Sequence, residues 1–458
     1  MINNKFLYSY HNINGDTMIN KSIWSDTKIN KSYKSLNKNI NVDILIIGGG
    51  ITGVNILYNL KDKDVILVER NKLANAVTRN TTGKLTYFQE NTLLNILKKN
   101  YNNASLYLKS QIEALSIARK IINDNNIECD FEKTKSYIFT NNVKNINKLE
   151  KLKNFFEKNN IKVNNNDIPL VKYKYSISVD DTYLFNPIKY INGLINVIDD
   201  NKIYENTKIN SIKYKNNKYI CKTNSTTILA NKVILATHYP YFIFPYLFPI
   251  KSSLEKSYII SYKHKINNLS LISIDTPVTS IRNYKDNLIY LTNSKNICTN
   301  INDKENFKDL LCKNNISYIW SNIDIITNDY MPYIGYIKKN LIISTGFNTW
   351  GMSNSILSGK IVKDLLENKY NEYIKLFNPK RNLFNTNTLK NIYLNLKGYI
   401  NGMTYNKNIN KKKCPHAKGI LIYNEIENTY DCPCHGSRFN CNGKCFNGPS
   451  NEDININK

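Results

Sequence analysis

Apolar positions are sparse up to residue 40, apart from an anchor at Ile23–Trp24. From Val42 onward they fall into runs whose period separates strands from helices. Val42–Ile47 (VDILII) is short, apolar and rich in β-branched side chains, the signature of a buried strand. Gly48, Gly49 and Gly50 interrupt it, Ile51–Leu60 has helical spacing, and Val65–Val68 (VILV) reads as a second buried strand. That β-turn-α-β order opens a doubly wound parallel sheet. Further on, the spacing predicts long helical sequence over about 93–125 and helices near 146–159 and 187–198. Val233–Ala236 and Leu341–Ser344 read as buried strands, and a helix follows near Ser353–Leu366. About 255–325 alternates as an antiparallel sheet does.

The fold class is therefore α/β, a doubly wound sheet with an inserted α+β substrate domain and a small C-terminal β domain. The expected division is a polar N-terminal extension over 1–40, within which Met18 is an alternative start, and a main body over 41–385. A linker over 386–400 and a cysteine-rich domain over 401–458 follow. Within the body, about 41–125, 184–246 and 326–370 belong to the dinucleotide-binding part. About 126–183 and 247–325 belong to the substrate part.

The formal charge of +27 raises the question of nucleic acid. Its lysines are scattered among Asn, Ile and Tyr and match no recognition motif, so a solvated basic surface is the reading and no nucleic-acid partner is expected. The first 40 residues lack the apolar core of a secretory signal, and no stretch has the 18 apolar residues of a membrane span. The expectation is a cytoplasmic protein without a membrane span.

Gly48-x-Gly50-x-x-Gly53 sits where a strand meets a helix. Gly48 permits the turn, Gly50 lets the backbone approach a pyrophosphate, and Gly53 allows close helix–strand packing. Glu69, at the end of the second strand, is placed to accept hydrogen bonds from ribose hydroxyls, with Arg70 beside it. These features leave FAD and NAD both open.

Asn340–Leu366 (NLIISTGFNTWGMSNSILSGKIVKDLL) resembles the second flavin-contacting segment of the D-amino-acid-oxidase-like FAD superfamily, which includes glycine oxidases and amine dehydrogenases. The resemblance extends to Thr81-Thr82-Gly83-Lys84, to Ile234–Pro240 and to Asp329–Gly335 (DYMPYIG), and covers about residues 40–381. It implies FAD as cofactor, with Thr81, Thr82, Gly346, Gly351 and Met352 against the flavin. The family's carboxylate-clamping Arg has no match here: Trp320 and Ser321 stand in that region, and Arg282 is the nearby cationic substitute. An amine, or a non-amine donor, is thus expected ahead of an amino acid. His238 and Tyr239 are the candidate catalytic groups beside Arg282, and a pocket lined by Arg282 or Tyr258 would mark an enzyme.

Five of the nine cysteines and two of the five histidines lie in the last 45 residues. Cys414-x-His416 and Cys432-x-x-His435 suit a tetrahedral zinc site or a [2Fe–2S] centre with two Cys on one iron and two His on the other. The surrounding CPCHGSRF and Gly443–Pro449 resemble Rieske cluster loops. The whole chain is similar to bacterial FAD-dependent oxidoreductases with a C-terminal Rieske domain. Respiratory Rieske proteins carry a disulfide between the two loops and a Tyr near the cluster; Gly419 opposite Cys434 and Phe439 replace these features, while Ser437 is retained. A low cluster potential is the consequence. Cys441 and Cys445 flank a turn at Asn442-Gly443 and read as packing residues.

The function expected is transfer of electrons between an organic donor, most simply an amine, and the cluster, with an electron-transfer protein as a possible partner. The alternative is a redox adaptor or sensor without small-molecule turnover.

Overall fold

The computed structural model describes residues 17–240, 248–299, 303–381, 386–405 and 412–456. Strand Ile40–Ile47 lies between Val65–Val68 and Thr227–Leu235, all parallel, and Leu341–Thr345 adds outside Thr227–Leu235. Ile46 pairs with Leu67 on one side and Ile234 on the other, so the apolar run is buried from both faces. Helices Ile51–Asn59 and Gly351–Leu366 cross closely. A side chain at Gly359 would meet Asn59 Nδ2 at 2.3 Å, and Thr52 bonds Ser355 at 2.8 Å.

The second sheet has nine strands. Toward one edge the long strands Ile316–Thr327, Ser252–Lys263 and Asn287–Asn296 run antiparallel. A third, four-stranded antiparallel sheet occupies Ile422–Asn447.

Three sequence expectations change. The long helical stretch is two helices, Glu90–Lys99 and Tyr101–Asp124. Asn100 breaks it in an extended conformation (φ −160°, ψ 120°), and its side chain accepts from Asn103 N at 2.9 Å to cap the second helix. The polar extension is not loose where it is described. Met18–Ile19 pairs with Tyr318–Ile319, and fully buried Trp24 donates Nε1–H to Thr81 O at 2.6 Å. The segment read as a linker lies within a twenty-residue helix, Thr386–Tyr405. Among the described residues, no helix is long and apolar enough to cross a membrane. His11, the histidine nearest in sequence to the glycine turn, and residues 241–247 of the apolar stretch Tyr239–Ile250, too short for a membrane span, lie outside the described residues.

Candidate functional site

A cavity of about 510 Å³ runs from the C-terminal ends of the parallel strands to the face of the antiparallel sheet. Its first half is built by the glycine turn. Gly48 has φ +114°, and a Cβ there would meet Ala236 O at 2.4 Å. Gly50 caps helix Ile51–Asn59 and lines the cavity. Gly53 does not line it. A Cβ at Gly53 would lie 1.9 Å from Gly48 O, so this glycine lets the helix press onto its own turn. Glu69 accepts from Gly49 N at 2.7 Å and Asn71 N at 2.8 Å. Burial raises its carboxyl pKa, against the lowering effect of these two N–H groups. Thr78 escaped the sequence reading; its hydroxyl accepts from Ile51 N at 3.0 Å, and it lines the cavity.

Arg70, Thr81, Thr82, Gly346, Gly351 and Met352 also line the cavity. Arg282 does not, and the expectation of a substrate cation there is corrected. Its guanidinium is buried and donates to the carbonyls of Thr82 (3.1 Å), Gly83 (2.7 Å) and Phe185 (3.2 Å). It braces the Thr81–Gly83 loop from behind, between the rings of Trp24 and Tyr284. Tyr258 is likewise buried away from the cavity and bonded to Asp303.

His238 and Tyr239 do line the cavity. His238 sits at φ +62° with Nε2 3.0 Å from Ile323 O, and burial lowers its pKa to about 4, so the ring is neutral near pH 7. Burial pushes the Tyr239 hydroxyl well above its ordinary range. Neither group is a ready base at neutral pH.

The sequence reading missed the carboxylates on the sheet side. Glu255 and Asp324 are directly opposed on neighbouring antiparallel strands, and both line the cavity. Burial, then the Glu255 charge, raises Asp324 to about 7. Burial also raises Glu255, with Lys390 opposing. The lysine on this side, Lys84, is occupied: its Nζ donates to Leu271 O (2.6 Å) and Ser280 Oγ (2.8 Å), and burial lowers it to about 7.

The cysteine-rich region folds two loops toward each other. Cys414 N bonds Gly419 O and Cys432 N bonds Ser437 O, each at 2.8 Å, closing both loops. The Cys414 and Cys432 thiols are buried together in the core of this region, and the His416 and His435 rings stand 5.2 Å apart at 86°. His435 Nδ1 is buried without a hydrogen-bond partner, a state that a metal bond would resolve. Two thiols beside two imidazoles fit a cluster with one iron on each pair.

Residues 43–365 match the model of the FAD dependent oxidoreductase (DAO) family, and 405–457 match the Rieske [2Fe-2S] domain. The chain belongs to the DAO family of FAD-dependent oxidoreductases. It carries a C-terminal Rieske domain, which sets the zinc reading aside. A putative Rieske 2Fe-2S iron-sulfur protein of Bacillus subtilis, YhfW, is 26% identical over 94% of this chain and 96% of its own. Glycine oxidase from Geobacillus kaustophilus superposes with a TM-score of 0.62 at 16% identity, over 75% of this chain and 99% of the oxidase. L-proline dehydrogenase from P. horikoshii gives 0.61 at 16%, over 75% and 98%. The DAO family domain binds FAD and the Rieske domain binds a [2Fe–2S] cluster.

The Rieske domain is seated on the flavin body. Arg70 Nη1 donates to Ser450 O at 2.9 Å, and Phe446, Gly448 and Pro449 complete the cavity wall. Buried Lys256 meets Asp303 and Asp431 at 2.7 Å and Glu427 at 3.4 Å. Arg438 pairs with Glu427 at 2.7 Å and Asp431 at 3.1 Å, and Ser321 Oγ donates to Glu427 at 2.6 Å. Three carboxylates from both modules are thereby matched to two buried cations. Cys441 and Cys445 are free thiols, the first exposed and the second buried in the domain core.

Proposed function

We propose that this oxidoreductase takes electrons from an amine without a carboxylate group and passes them to its Rieske cluster. The observation that carries this reading is the Glu255–Asp324 pair in the cavity, combined with the turning away of Arg282. Two adjacent carboxylates favour an ammonium group and repel a carboxylate. A carboxyl titrating near 7 is suited to take the proton an ammonium sheds before oxidation at the neighbouring carbon. That oxidation converts the amine to an imine with loss of two electrons and two protons. Bound FAD supplies a two-electron acceptor and the cluster a one-electron acceptor. Gly48, Gly50, Glu69, Thr81, Thr82, Gly346, Gly351 and Met352 would hold the flavin. Cys414, Cys432, His416 and His435 would ligate the irons. A roomy cavity reaching past the flavin-binding turn onto the sheet supports an enzyme over an adaptor without turnover. None of the nine cysteines is in a disulfide, which accords with a reducing compartment such as the cytoplasm.

Anaerobic mixing of the purified protein with monoamines, diamines and amino acids, followed by flavin absorbance, tests the reading. Amines should bleach the flavin and amino acids should not. Bleaching by amino acids alone, or by no donor, would overturn it.

A further inference from the structure

We infer that helix Thr386–Tyr405 is an interfacial helix that lays the protein on an anionic lipid surface. The helix is amphipathic in the inverted sense. Its inward face is polar: Asn391 Nδ2 donates to Asn328 Oδ1 at 2.6 Å, Asn395 Nδ2 to Pro249 O at 2.9 Å, and Asn401 Nδ2 to Cys298 O at 2.6 Å. Its outward face carries Leu389, Ile392, Tyr393, Leu396, Ile400 and Met403, each between 40% and 70% exposed. At about 100° per residue these six fall within an arc of roughly 100°, running the length of a helix about 30 Å long. A continuous apolar stripe of that size on a protein surface marks a contact site.

Charge selects the occupant. The helix contains no Asp or Glu, and its two lysines, Lys390 and Lys397, lie together along one edge of the stripe. The chain as a whole carries +27. A second copy placed on this face would oppose the same lysines and the same net charge. An anionic bilayer accepts both parts of the surface, with the apolar arc sunk about 5–10 Å into the acyl boundary and the lysines at the headgroups. The other side of the helix rests on the cluster loops. A side chain at Gly398 would meet Pro433 O at 2.7 Å, and the Tyr399 ring lies 6.2 Å from that of His435. Lipid on the stripe therefore lies about one helix diameter, ~10 Å, from the Rieske loops.

Flotation of the full-length holoprotein on phosphatidylcholine vesicles, with and without equimolar phosphatidylglycerol, tests the inference. The wild type should float with the mixed vesicles at low salt and remain behind with phosphatidylcholine alone. Leu396→Glu with Ile400→Glu should abolish flotation while the flavin and cluster spectra persist. Leu389→Glu, on the first turns and away from the cluster loops, should weaken it if the double variant loses its cofactors. Lys397→Glu should weaken it as well. No binding by the wild type, equal binding to both vesicles, or unchanged binding by the variants would overturn the inference. So would a solution dimer that the double variant splits into monomers, because a second copy would then cover the stripe.

Discussion

The ring of Tyr239 lies 6.5 Å, centroid to centroid, from the ring of His435, and Tyr239 also lines the flavin cavity. The same buried side chain thus lines the cavity proposed for FAD and lies beside a proposed ligand of the cluster. Tyr239→Leu should leave reduction of the flavin by substrate unchanged and slow the subsequent reduction of the cluster. A roughly tenfold effect corresponds to about 1.4 kcal/mol of barrier. Stopped-flow absorbance at flavin and cluster wavelengths separates the two steps. Tyr239→Phe keeps the ring and should retain the rate, which distinguishes packing from hydroxyl chemistry.

Substrate binding should depend on pH through Asp324. Its folded-state pKa is raised to about 7, so the carboxyl stays protonated well above the ordinary carboxylate range, and its contribution to stability is full below that range and is lost as pH rises to about 7. Cation binding needs the ionised form, so KM for an amine should fall as pH rises through the same window. Asp324→Asn should flatten that profile and weaken amine binding, while making the fold slightly more stable above pH 7 by removing repulsion with Glu255. A profile that survives the substitution would point to a different group.

The cluster potential should lie in the lower half of the range of about −150 to +300 mV spanned by Rieske centres. Phe439 offers no hydroxyl and Gly419 offers no sulfur, while the Ser437 hydroxyl accepts from Ser450 N at 2.8 Å. A Cβ at position 419 would lie 3.5 Å from Cys434 Cβ, within the span of a disulfide. Gly419→Cys should therefore form a bond to Cys434 under oxidising conditions and raise the midpoint. Redox titration followed by electron paramagnetic resonance measures the midpoint in the wild type and in the variant.

The two cofactors should be separable by mutation. Cys432→Ser should remove iron and acid-labile sulfide and leave FAD bound, because the glycine turn is built from other residues. Gly53→Ala should do the reverse. Its methyl group would lie 1.9 Å from Gly48 O, which forces the helix off the turn at a cost of about 1–3 kcal/mol and weakens FAD retention. Iron and flavin assays on each purified variant give the answer.

Lys256→Met should destabilise the contact between the modules. It leaves Asp303, Asp431 and Glu427 with Arg438 as the buried cation beside them, and breaking such a set typically costs about 3–5 kcal/mol. Limited proteolysis should then release the C-terminal module earlier than in the wild type.

Much of this was legible from local patterns. Val42–Ile47 and the glycine turn are contiguous in sequence, so their period and spacing carried the fold directly. The candidate metal ligands stand out because cluster chemistry places Cys and His in short loops. Glu255 and Asp324 were not, because they are 69 positions apart and meet only through the pairing of two long strands. Arg282 misled because its charge was visible and its burial behind the Thr81–Gly83 loop was not. The helix at Thr386–Tyr405 was read as a linker because its apolar residues point outward, so its periodicity answers to a surface and not to the core of its own fold.

The wall formed by Phe446, Gly448 and Pro449 has a consequence for biogenesis. Together with Asn447 and Asn451 they are the last parts of the cavity lining to be synthesised. On the ribosome the glycine turn, the Thr81–Thr82 loop and the Gly346–Met352 turn emerge while that side is still missing. A flavin that loads at this stage would meet a cavity open on the side the C-terminal domain later covers, so loss of that domain should show first as faster exchange of the flavin.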